Sequence, residues 1–242
     1  MGRMTALNRS FVLRSWSDYD VFLFDIDGTL LTCADAVHYF AFCHVLESIS
    51  GRPLTLEGVT AHGNTDIGIL RDALILAGIS EQTWRPRLSV MQEMLCNFVR
   101  DREDEVCANA LPHVEEVLEY LKCNGAMLGV ATGNLQAIGQ IKLKRADLFS
   151  YFGFGGWSDG LEIRAHVFEA AVRRARRVAG EHASVCVVGD TPADIRAARQ
   201  NGLDVIAVAT GIYGHAELAN ELPDLCLESL ADLPIPAHAL RA

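Results

Sequence analysis

Short runs of uninterrupted apolar residues punctuate the chain at Val21 to Phe24, Met127 to Ala131, Ser184 to Val188 and Val205 to Ala209. A run this short, without polar alternation and stopping abruptly at loop residues, is what a strand buried on both faces of a parallel sheet presents. Phe152 to Gly155 is a fainter candidate of the same kind. Helical segments lie between the runs. Pro112 to Lys122, for example, sets Val114, Val117, Leu118 and Leu121 on one face and meets Gly125 just beyond its end. Buried strand alternating with helix predicts an α/β fold built on a doubly wound, Rossmann-like parallel sheet.

Residues 34–106 follow a different pattern, with helical periodicity throughout and no convincing buried strand. One helix is predicted over Asp35 to Ile49, stopping before Gly51. A second starts at Thr65 or Asp66 and runs to Ala77, with Ile67, Leu70 and Leu74 on one face and Gly78 as its stop. A third carries Leu88, Met91, Leu95 and Phe98, with Pro86 near its start. The expected organisation is therefore a catalytic core made of residues 1–33 and 107–242 with an all-helical cap, 34–106, inserted into it. Residues 1 to about 18 show no periodicity and are expected to be loosely ordered.

Composition narrows the class of partner. A chain of 242 residues with 50% hydrophobic content can bury a full core, and its formal charge of −10 opposes binding to nucleic-acid phosphates or anionic lipid. Small molecules are the expected partners. The sequence holds no apolar stretch long enough for a membrane helix, no signal core in its first residues, and Ala6 where a myristoylation signal needs Ser or Thr, so a cytoplasmic location is expected. Seven cysteines without Cys-x-x-Cys spacing read as reduced core or surface thiols.

In a parallel sheet, ligands bind beyond the carboxyl ends of the strands, so the residues that follow each apolar run are the informative ones. They are Asp25, Asp27 and Thr29, then Thr132-Gly133-Asn134, then Gly189-Asp190-Thr191-Pro192-Ala193-Asp194. Carboxylates converging on one rim repel each other unless protons or a cation intervene, and a hard divalent ion such as magnesium suits oxygen ligands. Thr132, with the amides of Gly133 and Asn134 at a helix start, offers donors to an anion such as phosphate.

With these motifs in order, the chain resembles the haloacid dehalogenase superfamily, whose hallmark strand-Asp-x-Asp-Gly-Thr stands here as Asp25-Ile26-Asp27-Gly28-Thr29. Gly63-Asn64-Thr65-Asp66 and Thr132-Gly133-Asn134-Leu135 further resemble its phosphoglycolate phosphatase branch. The resemblance implies a phosphatase acting on a small phosphorylated metabolite, as a monomer or small homo-oligomer. Asp25 would attack phosphorus to form an aspartyl-phosphate, and Asp27 would protonate the leaving alkoxide and then activate water. Mg2+ would sit on the Asp25 and Asp190 carboxylates and the Asp27 carbonyl, with Asp194 supporting them. A phosphomutase on the same core, or a weakly active binding module, stands as the alternative.

The superfamily places a Lys before its fourth strand to offset charge on nucleophile and phosphate. The corresponding segment, Trp157 to His166, has none, and Arg164 is the candidate to replace it by bridging phosphate and Asp194. Thr65 or Asp66 is read equally as a helix cap or as part of a substrate gate. Arg173, Arg174, Arg176 and Arg177 are read as a solvated helix face, and His113, His166 and His182 as uninvolved.

Overall fold

The computed structural model describes residues 15–236. Most of the expected loose lead-in therefore lies outside the described residues. The chain enters the core through strand β1 (Val21–Phe24), turns back into the short β2 (Leu31–Cys33), and leaves it for a set of helices: α1 (Val37–Ser50), α2 (Asp66–Leu76), α3 (Glu81–Trp84) and α4 (Leu88–Arg100). It returns through β3 (Ala108–Ala110), which pairs antiparallel with β2. Exit and re-entry are thus held side by side. The remainder alternates α5 (Val114–Cys123), β4 (Met127–Ala131), α6 (Gln136–Arg145), β5 (Phe154–Gly156), α7 (Arg164–Ala179), β6 (Val185–Gly189), α8 (Pro192–Gln200), β7 (Asp204–Val208), α9 (His215–Asn220) and β8 (Leu225–Leu227).

The strands outside the β2–β3 pair form one sheet in the order β5-β4-β1-β6-β7-β8, every pairing parallel. Side chains alternate between its two faces, as the period of two requires. On β1, Phe22 and Phe24 join Leu128, Val130, Cys186 and Val188 against α5, α6 and the inserted helices, whereas Val21 and Leu23 join Val185, Val187 and Val205 against α7, α8 and α9. Both faces are covered, which explains why these strands read as unbroken apolar runs.

Helix ends follow the expected chemistry. Thr65 caps α2, its hydroxyl accepting from the Gly68 amide at 2.9 Å, so the choice between Thr65 and Asp66 as cap falls to Thr65. α1 ends at Gly51, whose φ of 72° is the left-handed conformation a C-terminal cap needs. The fainter strand begins later than Phe152, because Phe152 closes the tight turn Phe149–Tyr151 and pairing with β4 starts only at Phe154. β8 and α9 escape the sequence pattern because both are short: β8, at the sheet edge, is the three apolar residues Leu225–Leu227, and α9 has Leu218 as its buried residue.

Phe24 is fully buried at the centre of the sheet. Phe24→Ala should destabilise the fold by about 3–5 kcal/mol through lost burial and the cavity left behind. Urea unfolding checks this: the midpoint falls while the slope stays constant.

Candidate active site

The carboxyl ends of β1, β4 and β6 open onto a cleft of about 280 Å³ whose lining includes Asp25, Asp27, Asp190, Thr132, Gly133, Asn134 and Arg164. The Asp25 amide donates to the Val188 carbonyl at 2.9 Å, which extends the strand ladder and leaves the side chain at the rim. The chain then turns at Gly28 with φ 78°, and any Cβ there would collide with the Asp190 carboxylate, so both conformation and space require glycine. Thr29 donates its hydroxyl to Asp190 Oδ1 at 3.0 Å, which fixes the second acid relative to the first.

Asp25, Asp190 and Asp194 are all buried and each offers a carboxylate oxygen within 4.8 Å of the others. Arg164, the first residue of α7, is buried between two of them: Nη2 lies 2.7 Å from Asp25 Oδ2 and 2.5 Å from Asp194 Oδ1, and Nε donates to Asp194 Oδ1 at 2.8 Å. Arg164 thus touches Asp194, one of the two partners expected for it, and its guanidinium also reaches Asp25. The remaining Asp194 oxygen accepts from the Thr191 amide and hydroxyl, at 3.1 and 2.7 Å, in a capping box at the start of α8. Both Asp194 oxygens are therefore occupied by protein donors.

One positive charge among three negative ones leaves an excess. Burial raises Asp25 from 3.8 to about 6, against the pull of Arg164 and with repulsion from Asp194 and Asp27 adding to it. Burial, followed by repulsion from Asp25 and Asp194, pushes Asp190 up to about 8.

Asp27 has the opposite environment. Burial works against its charge, yet the Lys142 ammonium, 2.8 Å from both carboxylate oxygens, and the Asn134 amide at 2.7 Å outweigh it and hold the carboxyl below its usual range. Lys142 also donates to Asn134 Oδ1 at 2.9 Å, and Asn134 Nδ2 donates to Thr132 Oγ1 at 2.8 Å. Lys142 is the site residue that the sequence reading missed. A signal existed: in α6 it follows Ile138 and Ile141 at spacings that put all three on one buried stripe, where a lysine needs an acidic partner.

The helical insert meets this rim directly. The Asp66 amide donates to the Gly133 carbonyl at 2.7 Å, Asp66 Oδ2 accepts from the Leu135 amide at 2.7 Å, and the Thr65 hydroxyl donates to the Glu162 carbonyl at 2.9 Å. A Cβ on Gly133 would press into the Asn64 carbonyl, so glycine permits the close approach. Arg173, Arg174, Arg176 and Arg177 of α7 are exposed as expected, with Arg174 donating to the Gly155 carbonyl.

Residues 22–208 match the family described as haloacid dehalogenase-like hydrolase. The chain belongs to the haloacid dehalogenase-like hydrolases. Phosphoglycolate phosphatase 1 of Pseudomonas aeruginosa is 27% identical over 218 residues, covering 87% of this chain and 77% of that protein. A Dickeya dadantii protein named "Probable phosphatase IndB" is 31% identical over 129 residues, 53% of this chain and 56% of its own length, so that match spans about half of each. The fold recurs in CbbY from Rhodobacter sphaeroides, solved in complex with phosphate, with a TM-score of 0.61 at 19% identity over 93% of this chain and 100% of that one. No helix among the described residues of this hydrolase is long and apolar enough to cross a membrane.

An acid whose folded pKa lies above its unfolded value keeps a proton in the native state that the unfolded chain releases. The stability it allows is present at low pH and is lost as pH rises through the folded value. With chelator present, the melting temperature should therefore contain a component that falls as pH rises from near 3.8 toward about 8, carried mainly by Asp190. Asp190→Asn should flatten that component. Parallel pH profiles for the parent and Asp190→Asn contradict the assignment.

Proposed function

We propose that this hydrolase is a magnesium-dependent phosphatase that cleaves a small phosphate monoester through an aspartyl-phosphate on Asp25. The observation that carries the reading is the buried Asp25 carboxylate, ion-paired to Arg164 at 2.7 Å and gathered with Asp190 and Asp194 at the rim of the cleft. Acids raised by burial and by their mutual repulsion fit a divalent cation, and the donor set is all oxygen, which suits magnesium. The Asp25 and Asp190 carboxylates and the Asp27 main-chain carbonyl would hold it. Asp194 would not ligate, since its oxygens already serve Arg164 and Thr191. Magnesium, when bound, supplies positive charge that lets an anionic nucleophile meet an anionic phosphoryl group.

The protein's own groups do the rest. Asp25 attacks phosphorus, splitting one displacement into two easier ones. Arg164 holds Asp25 in place, and its Nη1, which donates to the Asn64 carbonyl at 3.5 Å, stands beside Gly133 in the loop where the phosphoryl oxygens would lie. Thr132 accepts from the Asn134 side chain and keeps its hydroxyl proton to donate. Asp27, held ionised and aimed by Lys142 and Asn134, takes a proton from the water that attacks the intermediate; the proton for the leaving alkoxide is one that Asp27 must first take up against that pairing. Residues 34–106 act as a cap, a reading supported by Tyr39, Phe42 and Ile69, which line the same cleft as Asp25.

Turnover of 4-nitrophenyl phosphate should need magnesium and vanish in excess chelator; undiminished turnover there contradicts the metal assignment. Asp25→Asn should remove activity while circular dichroism shows an intact fold, because an amide is neither nucleophile nor anionic ligand. Arg164→Ala should lower kcat/KM by about ten- to a thousandfold, on the order of 1.4–4 kcal/mol, with part restored in Arg164→Lys. Parent-like kinetics for Arg164→Ala would place the charge-balancing role elsewhere.

A further inference from the structure

We infer that the alcohol half of the substrate is uncharged and carries an apolar, ring-sized body, so that the preferred substrates are phosphate monoesters with no second anionic group. The inference rests on the phosphatase reading above and deepens it. The wall of the cleft supplied by residues 34–106 presents Tyr39 and Phe42 from α1, Leu56 from the following loop and Ile69 from α2. His38 stacks on Phe42 with ring centroids 4.8 Å apart, which extends the flat aromatic surface. His62 at the exposed mouth offers a ring nitrogen to a hydroxyl group.

The charges along the cleft point the same way. Among the described residues, Lys142 and Arg164 are the Lys and Arg side chains that line it. Lys142 has three N–H donors, and its contacts to the two oxygens of Asp27 and to Asn134 Oδ1 use them. Arg164 is committed to Asp25 and Asp194 and stands beside the loop proposed for the phosphoryl group. On the side of the cleft lined by residues 34–106 the acid is Asp66, with His38 Nε2 3.3 Å from its Oδ1. A second carboxylate or phosphate placed there would lose water, gain no lysine or arginine and face an acid. An uncharged aromatic or alicyclic body would bury its surface on Tyr39, Phe42, Leu56 and Ile69.

The test uses the full chain with magnesium and two esters of nearly equal size, benzyl phosphate and 4-carboxybenzyl phosphate, with phosphoglycolate as a third substrate. The expected result is a kcat/KM for benzyl phosphate exceeding that for each carboxylated ester by about tenfold or more. Leu56→Arg, which puts a cation on the alcohol side, should narrow the gap by raising the carboxylated esters. Where turnover is too slow to rank, the same order is read as affinities of the three esters for Asp25→Asn by calorimetry. Equal or better use of either carboxylated ester overturns this inference and leaves the phosphatase reading standing. No hydrolysis of any ester, together with no phosphate transfer to Asp25 from acetyl phosphate, overturns both.

Discussion

Asp25, Asp190 and Asp194 bring carboxylate oxygens within 4.8 Å of one another under the rim of a buried sheet, and their repulsion is the constraint around which the site is built. Two unit charges about 4 Å apart interact by roughly 4 kcal/mol at an effective dielectric constant near 20, so three acids cannot share this space uncompensated. Arg164 answers part of the charge by spanning Asp25 and Asp194. The remainder adds to burial, the larger cause, in raising Asp190 and Asp25. A protein that only needed stability would gain by removing such a cluster. Its retention is best explained by a cation and a phosphoryl group that take up the excess.

Asp27 stands two residues from Asp25, and its environment is opposite in sign. Lys142 and Asn134 hold it low while burial and like charge hold Asp25 high. The split makes Asp27 the stronger acid of the two and so favours its ionised, proton-accepting form, the one that activates water. Here the separation follows from topology. Asp25 continues β1 toward β6 and its acids, whereas Asp27 has turned toward α6 and its lysine. Gly28 makes that turn possible, and it does so in the one space that the Asp190 carboxylate leaves.

The sequence showed the sheet because strands buried on both faces leave unbroken apolar runs, and it showed the acids because each follows such a run. Arg164 came from the resemblance, as the long cation at a helix start in the segment where the superfamily places a lysine. What it hid has specific physical causes. β8 is an edge strand of only three residues, Leu225–Leu227, apolar but set between Asp224 and Glu228 and too short to stand out as a run. Lys142 sits inside a helix next to Leu143 and Lys144, and only the three-dimensional stripe shared with Ile138 and Ile141 separates the buried lysine from the exposed one. The tie between Asp66 and Gly133 joins residues far apart in the chain, and no local pattern encodes it.

The central claim is that Asp25 becomes phosphorylated, and it is tested most directly by trapping the intermediate. Protein turning over a phosphate monoester with magnesium is quenched, reduced with borohydride and digested, and the peptides are read by mass spectrometry. An acyl phosphate on Asp25 is reduced to homoserine, so the account predicts that conversion at Asp25 alone, dependent on both substrate and magnesium. Homoserine at another aspartate, or phosphate found on a histidine or serine while Asp25 stays unmodified, would contradict it.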